Sequence, residues 1–455
     1  MKNHHLHAWF GICFILVFSI SSARFAVPAQ TPAALNGSGL TAVRADRLLD
    51  VVSGKIIADA VVLIENGKVS KVGPGLPVPR EAHVIDLGNV TLLPGLIDCH
   101  THLLMNFDAE VGDDSANMLA MVSRMSTAKR ALLGAMMGRE MLEAGFTTVR
   151  DLGNSGVNGD RALRDAIVEG WVVGPRMVVS TRALAPVGGQ FGRLTPDNQN
   201  IVEQEYLVVS GVEEARRATR QVIYDGANWV KVIIDEKGQN LSLEEVKVIV
   251  EEAHRMKRRV AAHAIDDSAA RIAIEAGVDS IEHAYKVSDE VLKLMTAKHI
   301  FLIPTDAPLE AYGLSQQGTP ELREQIKNEF IAFIENSRGR LRRAIAAGVP
   351  MAFGSDVYYR IPAMSRGQVS LLTFRAYSAS GMSPLEVIRM ATVNAADMLR
   401  FSELVGSIKP GAYADIVAVA GNPLTDIKAL ENTVFVMKGG RVVKQNLPRQ
   451  SMVQP

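Results

Sequence analysis

Residues 92–103, LLPGLIDCHTHL, place an apolar run directly before two histidines separated by one residue. Such a run predicts a buried β-strand with His100 and His102 at its carboxyl end. Residues two apart in an extended chain point to the same side, so both imidazoles can reach one centre. The stretch therefore predicts a strand that ends in a pair of ligands.

Seven further apolar, β-branched segments follow, each after a longer amphipathic or alanine-rich segment: GFTTVRDLG, PRMVVST, WVKVII, RVAAHA, DSIEHA, IFLIP and PMAFGSD. With the first segment they number eight, as a (β/α)8 TIM barrel requires. The intervening helices carry start signals. Ser242 and Glu245 have capping-box spacing, and Ser383, Pro384 and Glu386 repeat the pattern with proline at the first helical position.

The two ends of the chain read as short strands. The dipeptides Asn66-Gly67 and Gly439-Gly440 predict hairpin turns. We therefore predict an α/β fold in which a TIM barrel is joined to a small β-sandwich formed by both terminal segments. The predicted domains are a signal peptide over 1–29, the N-terminal part of the sandwich over 30–93, the barrel over 94–402, the C-terminal part of the sandwich over 403–447 and a tail over 448–455.

The N-terminus is typical of an export signal. A lysine and three histidines precede AWFGICFILVFSI, and small residues suited to cleavage follow near Ala23 or Ala29. We expect a periplasmic enzyme with no membrane attachment after cleavage; an uncleaved N-terminal anchor is the alternative. Cys13 lies in the signal, so Cys99 is left without a partner and no intramolecular disulfide is expected.

Composition limits the partners. The chain has 455 residues, 47% of them hydrophobic and 22% charged, which is enough for one large core and a second small one. Lysine plus arginine equals aspartate plus glutamate at 49 each, so nothing indicates a surface for nucleic acid. The expected partner is a small-molecule substrate, and a homo-oligomer remains open.

Residues that can bind metal gather where the predicted strands stop. Of ten histidines, three lie in the predicted signal and four of the other seven fall at strand ends; His83, His254 and His299 do not, and we assign them structural roles. The carboxyl ends of parallel strands meet on one face of a barrel, where active sites are built. The residues at or near these ends are His100, His102, Lys231, His263, His283 and Asp356.

The motifs LPGLIDCHTH, VKV, AAHA, IEHA and GSD resemble the metal-dependent amidohydrolase superfamily, in particular its imidazolonepropionase-like and Xaa-Pro dipeptidase (prolidase-like) branch. The resemblance runs from about residue 40 to residue 444. It implies two divalent ions, with zinc favoured and manganese, cobalt or iron left open. The implied ligands are His100, His102 and Asp356 for the buried ion, His263 and His283 for the more exposed ion, and Lys231 as a bridging carbamate.

Carboxylation of Lys231 is implied because an ammonium has no lone pair, whereas an N-carboxylated lysine is an anionic oxygen ligand. The alternative is that Lys231 only makes a salt bridge. In the implied mechanism, a hydroxide that bridges the two ions attacks the scissile carbonyl. Asp356 accepts the hydroxide proton and delivers it to the departing amine.

Loops after the strands are expected to select the substrate. Many prolidase-like relatives have a Gly-Gly-His stretch where this chain has Gly188, Gly189 and Gln190, and the loop after the fourth strand is short. An arginine fork suits a free carboxylate. The candidate substrate-binding residues are Arg182, Gln190, Tyr285, Tyr358 and Arg360.

Three functions remain open from the sequence. The first, which we predict, is an exported hydrolase that cuts an amide next to a free carboxylate: an Xaa-Pro dipeptidase, a carboxypeptidase or an N-acyl amino acid hydrolase. The others are alternatives. The second is a hydrolase of cyclic amides of the imidazolonepropionate type or of xenobiotic amides and esters, which the missing histidine and the short loop favour. The third, a non-catalytic binding protein, is disfavoured because all six ligand positions are filled.

Overall fold

A computed structural model describes residues 39–236 and 239–446. The predicted signal peptide and the predicted C-terminal tail lie outside the described residues. Within the described ranges, no helix combines the length and the apolar character that a membrane span requires.

The strands are β1 (Thr41–Asp50), β2 (Lys55–Glu65), β3 (Lys68–Pro74), β4 (His83–Asp86), β5 (Thr91–Pro94), β6 (Leu96–Thr101), β7 (Phe146–Asp151), β8 (Arg176–Val179), β9 (Ala183–Ala185), β10 (Tyr206–Val208), β11 (Trp229–Ile233), β12 (Asp235–Glu236), β13 (Gln239–Asn240), β14 (Arg259–Asp266), β15 (Ser280–Lys286), β16 (Phe301–Ile303), β17 (Ile416–Val419), β18 (Thr433–Lys438) and β19 (Arg441–Gln445). The helices are α1 (Asp114–Arg124), α2 (Thr127–Ala144), α3 (Gly159–Val168), α4 (Val212–Tyr224), α5 (Leu243–Arg255), α6 (Asp267–Ala276), α7 (Asp289–Ala297), α8 (Pro320–Ala346), α9 (Arg366–Ala379), α10 (Pro384–Met390) and α11 (Val393–Met398).

The terminal segments share one sheet of eight strands. Its order is β19-β18-β17-β5-β1-β2-β3, with β4 beside β1, so β5 joins the N-terminal strands to the C-terminal ones. Both predicted hairpins are confirmed, since Glu65 pairs with Lys68 across Asn66-Gly67 and Lys438 pairs with Arg441. The strand pairing places the two predicted halves of the sandwich in a single continuous sheet.

The chain leaves this sheet at Gly95, between β5 and β6. A Cβ at Gly95 would lie 2.1 Å from the Thr147 hydroxyl oxygen, so only glycine lets these two backbone segments approach this closely. The opening stretch 92–103 thus holds the last N-terminal strand of the terminal sheet and the first parallel strand.

The middle of the chain forms two parallel sheets, β6-β7-β8 and β10-β9-β11-β14-β15-β16. Seven of the eight predicted strands are present. The eighth, residues 350–356, is not a regular strand; Met351 makes a single bridge to Leu302, while Cys99 N donates to Phe353 O at 2.8 Å. The strand pairing therefore shows a mixed α/β fold, without one closed eight-stranded sheet among the described residues.

Helices connect the parallel strands, and their start signals act as predicted. Ser242 and Glu245 form a reciprocal capping box at α5, and Ser383 and Glu386 form another at α10. The apolar face of α5 is buried, with Val246 fully covered. Because β6, β11, β14 and β15 run parallel, their carboxyl ends meet on one side of the molecule.

Candidate metal centre

The structure brings the six predicted ligands to one cavity at the carboxyl ends of the parallel strands. Single donor atoms of His100, His283 and Asp356 lie within 4.8 Å of one another. The His102 Nε2 lies 3.3 Å from the Asp356 Oδ1, and the rings of His263 and His283 are 4.7 Å apart. His100, His283 and Asp356 thus form a group that can hold a metal ion.

Asp356 is held in place by its backbone. Its amide N donates to the His100 carbonyl at 2.9 Å, and its φ of +49° lies in the left-handed region. His283 also has a positive φ, of +72°. Such conformations are unfavourable for residues other than glycine and persist where the surroundings impose them, often at functional sites.

Backbone and side-chain acceptors orient two of the histidines. The His102 Nδ1 lies 3.0 Å from the Gly153 carbonyl oxygen, which can only accept, so Nδ1 carries a proton and Nε2 is the ring atom that faces Asp356. The His283 Nδ1 lies 2.8 Å from the Thr305 Oγ1. Because that hydroxyl donates to the Pro304 carbonyl, it accepts from His283.

His100 is oriented by a fully buried ionic network. Its Nδ1 lies 2.7 Å from the Glu282 Oε2, and Arg150 donates to the Glu282 Oε1 at 2.9 Å. Arg150 also donates to the Cys99 carbonyl and lies 4.5 Å from the Trp229 ring. Burial disfavours ionisation, but Arg150 and the bond from His100 outweigh it and lower the pKa of Glu282 to about 2.

Sequence reasoning did not identify the buried salt bridge between Arg150 and Glu282. It missed Glu282 and Thr305. A signal for Glu282 was available, because a carboxylate inside the apolar strand DSIEHA needs a buried partner. Thr305 carries no such signal.

The protonation states of His263 and Lys231 suit the binding of divalent ions. Burial and the nearby Lys231 lower the pKa of His263 to about 3, so its imidazole is neutral near pH 7. Burial also lowers the pKa of Lys231 to about 8, which raises the fraction of neutral amine, the form that can be carboxylated. Among the described residues, no carboxylate lies within salt-bridge distance of Lys231, so the alternative salt bridge is not formed.

The cavity has a volume of about 520 Å³. Gln190, Tyr285 and Tyr358 line it as predicted. Gln190 is held from both sides, because the Tyr206 hydroxyl donates to its Oε1 and its Nε2 donates to the Glu236 carboxylate, each at 2.9 Å.

Arg182 and Arg360 do not line the cavity, which corrects their predicted placement. Arg182 lies 3.7 Å from Asp225 and donates to the Glu203 carbonyl. Arg360 pairs with Asp108 at 2.6 Å. Each guanidinium is therefore engaged by a carboxylate outside the cavity, and no arginine is found among the described residues of its wall.

The rest of the lining is mostly aromatic or aliphatic, and it includes the acidic residues Asp114 and Glu236. Asp114, in the first turn of α1, accepts from the hydroxyls of Tyr358 and Tyr359. The aromatic residues are Phe107, Tyr285, Tyr312, Phe330, Phe333, Tyr358 and Tyr359.

Comparison with known proteins identifies a family and several proteins of similar sequence and fold. The model of a family described as "Amidohydrolase family" matches residues 91–443. The chain is 31% identical over 425 residues to an ochratoxinase of Aspergillus niger, covering 86% of this chain and 84% of that protein. It is 24% identical over 407 residues to an imidazolonepropionase of Kosmotoga olearia, covering 84% and 90%. A solved Xaa-Pro dipeptidase with bound methionine in the active site superposes with a TM-score of 0.77 at 28% identity, over 89% of this chain and 99% of that one.

Proposed function

We infer that this chain, which belongs to the amidohydrolase family, uses its strand-end donors to hydrolyse an amide of a small molecule at a site with two metal ions. Family membership makes it a metal-dependent hydrolase that acts on carbon–nitrogen bonds. The observation that carries the finer proposal is the meeting of four histidines, one aspartate and a buried lysine in one cavity of about 520 Å³.

Two divalent ions, most simply zinc, would supply Lewis acidity for the scissile carbonyl and generate a nucleophile from water near neutral pH. The orientation of His102 and His283 by acceptors behind them supports their role as ligands. The residues that would hold the ions are His100, His102 and Asp356 at the buried position, His263 and His283 at the exposed position, and Lys231, N-carboxylated, between them.

Asp356 is proposed as the proton carrier. Its burial acts to raise its pKa, but the adjacent His100 and His102 outweigh burial and lower it. The carboxylate is therefore ionised near neutral pH and can take a proton from the attacking nucleophile. Delivery of that proton to the amide nitrogen completes the reaction, because an amine leaves far more easily than an amide anion.

We also propose that the parallel strands close into the predicted (β/α)8 barrel over 94–402. Support comes from hydrogen bonds on both sides of the segment 350–356. Leu302 N donates to Pro350 O at 2.8 Å, and Asp356 N donates to His100 O at 2.9 Å. The β-sandwich over 30–93 and 403–447, the cleaved signal over 1–29 and the periplasmic location remain proposals that rest on the sequence.

The cavity best supports a substrate that carries no arginine-bound carboxylate. Such substrates include cyclic amides, xenobiotic amides and xenobiotic esters. The reason is that Arg182 and Arg360, the candidate carboxylate ligands, lie elsewhere. A second candidate is an amide next to a free carboxylate, in an Xaa-Pro dipeptide or an N-acyl amino acid. It is favoured by the likeness to a solved Xaa-Pro dipeptidase.

The test is a mass-spectrometric screen of zinc-loaded protein, with bicarbonate present, against pooled cyclic amides, aryl and alkyl amides, N-acyl amino acids and Xaa-Pro dipeptides. We expect loss of one class that disappears on chelation and in Asp356→Asn. Hydrolysis that survives both controls, or no hydrolysis with metal fully bound, would refute the proposal.

A further inference from the structure

Four aromatic side chains from three separate segments meet on one side of the cavity. Tyr285 ends the sixth parallel strand, Tyr312 lies in the loop after β16, and Phe330 and Phe333 lie on α8. The ring centroids of Tyr285 and Phe333 are 4.9 Å apart, those of Tyr312 and Phe330 are 5.0 Å apart, and those of Tyr312 and Phe333 are 6.4 Å apart. We call these four residues the aromatic wall.

The aromatic wall begins at the candidate metal centre. The Tyr285 ring lies 5.6 Å from the His283 ring. Its hydroxyl is within 2.7 Å of the Thr305 Oγ1, the same atom that holds the His283 Nδ1. A group bound against Tyr285 would therefore lie beside the His283 imidazole.

Buried contacts and a hydrogen bond support the wall on its outer side. Arg340 is 1% exposed, pairs with Asp306 at 2.6 Å and places its guanidinium 5.4 Å from the Tyr285 ring. The loop that carries Tyr312 is tied to the loop after β6, because Glu110 accepts from the Gln316 amide N at 2.7 Å. A preformed wall binds a ligand with little further loss of conformational freedom.

Helix α8 presents two rings to the cavity from a part of the helix that is otherwise poorly covered. Its buried residues are Ser337, Arg340, Leu341 and Ala344, all in the C-terminal half. In the N-terminal half, Phe330 and Phe333 are half-buried, whereas Ile331 between them is exposed. The two phenylalanines thus keep apolar surface that a ligand in the cavity can cover.

We propose that the aromatic wall is a subsite that binds a planar aromatic ring of the substrate, an inference that rests on the proposed amide hydrolysis. Aromatic rings pair edge-to-face or offset at centroid distances of about 4.5–7 Å, and the wall already shows this spacing. A cationic group fits less well, because Arg340 already lies against Tyr285 and the metal centre is positive. A carboxylate finds no arginine among the described lining residues.

The test compares substrates that differ only in the planarity of one ring. N-Methyl-2-phenylacetamide and N-methyl-2-cyclohexylacetamide form the acyl-side pair; N-benzylacetamide and N-(cyclohexylmethyl)acetamide form the amine-side pair. The zinc-loaded protein should show a kcat/KM at least about threefold higher for the aromatic member of one pair. That pair identifies the side of the amide that the wall receives.

Two variants and one control locate the effect. Phe333→Leu and Phe330→Leu keep apolar volume but remove a ring. Each should bring the ratio of kcat/KM between the aromatic and the cyclohexyl substrate close to one. Ile331→Ala, on the solvent side of the same helix, should leave the preference unchanged. The aromatic wall as a subsite would be overturned if both leucine variants kept the wild-type ratio of kcat/KM. It would also be overturned if the wild type showed no preference for the aromatic member of either pair.

A second measurement separates this inference from the proposed function. Binding of benzamide and of cyclohexanecarboxamide to the metal-free chain is compared by saturation-transfer NMR, which needs no turnover. Preferential binding of benzamide that is lost in Phe333→Leu, without hydrolysis of any amide by the zinc-loaded protein, would support the wall and refute the hydrolysis. Hydrolysis without any ring preference, in rate or in binding, would refute the wall alone.

Discussion

Replacing Arg150 by methionine should destabilise the chain severely while leaving the surface unchanged. Arg150 and Glu282 are both 0% exposed and lie 2.9 Å apart. Removing the guanidinium leaves the Glu282 carboxylate buried without its main counter-charge, and orphaned charges of this kind cost about 3–5 kcal/mol. The Cys99 carbonyl also loses its hydrogen bond from Arg150. We expect the free energy of unfolding to fall by about this amount.

The double variant Arg150→Met/Glu282→Gln removes both charges and keeps a side chain able to bond His100. It should recover more than half of the loss, because most of the penalty comes from the unpaired charge and little from the net strength of the pair. Arg139→Met is the matched control, since its pair with Glu143 is 67% and 40% exposed. Such a surface pair contributes about 0.5 kcal/mol or less.

The assay is urea unfolding of the metal-free chain, followed by circular dichroism and tryptophan fluorescence. Metal is excluded because binding to the folded state would add to the measured stability. A loss of unfolding free energy below about 1 kcal/mol in Arg150→Met would refute the reasoning, because the buried Glu282 carboxylate would then not need Arg150 as its counter-charge. A double variant as unstable as the sum of the single variants would refute it equally.

Four further substitutions test the site and its surroundings. Asp356→Asn and His263→Asn should each abolish hydrolysis while the unfolding midpoint of the metal-free chain stays near that of wild type; full activity in either contradicts the proposed site. Thr305→Val removes the acceptor for the His283 Nδ1 and should weaken zinc affinity by about 10- to 100-fold in a chelator-buffered titration, whereas unchanged affinity argues against this orienting role. Burial raises the pKa of Asp160 from 3.8 to about 7, so the folded state binds more protons than the unfolded state in that range and stability falls as pH rises through it. Relative to wild type, Asp160→Asn should therefore become more stable by up to about 4 kcal/mol as the pH rises from about 4 to 7. This gain adds to a pH-independent loss, because the amide NH2 cannot accept the backbone bond that a carboxylate oxygen accepts from Thr181 N or Arg161 N. Parallel pH profiles of the two proteins would exclude this explanation.

The meeting of the six candidate ligands in one cavity could be predicted because strand periodicity and strand direction are local properties. The apolar runs before His100 and His263 indicate strands, and parallel strands bring their carboxyl ends together whatever their exact packing. The capping boxes at Ser242 and Ser383 were predictable for the same reason, since each involves residues three apart.

The residues around the six candidate ligands could not be predicted with the same success. Arg182 and Arg360 follow strand ends, but position along the chain does not decide whether a long side chain turns toward the cavity or toward a nearby carboxylate. Asp225 and Asp108 engage them outside the cavity. The buried pairing of Arg150 with Glu282 spans 132 residues and depends on how β7 and β15 are arranged.

The sequence by itself therefore determined the parallel strands, their capped helices and the six donors at the strand ends, because these follow from short-range spacing and from the polarity of the chain. Only the tertiary structure decided which other residues line the cavity around these donors. The aromatic wall shows why: Tyr285, Tyr312 and Phe333 belong to a strand end, a loop and a helix, and no spacing along the chain relates them. Their contact depends on the angle and depth at which α8 lies over the cavity, which long-range packing sets.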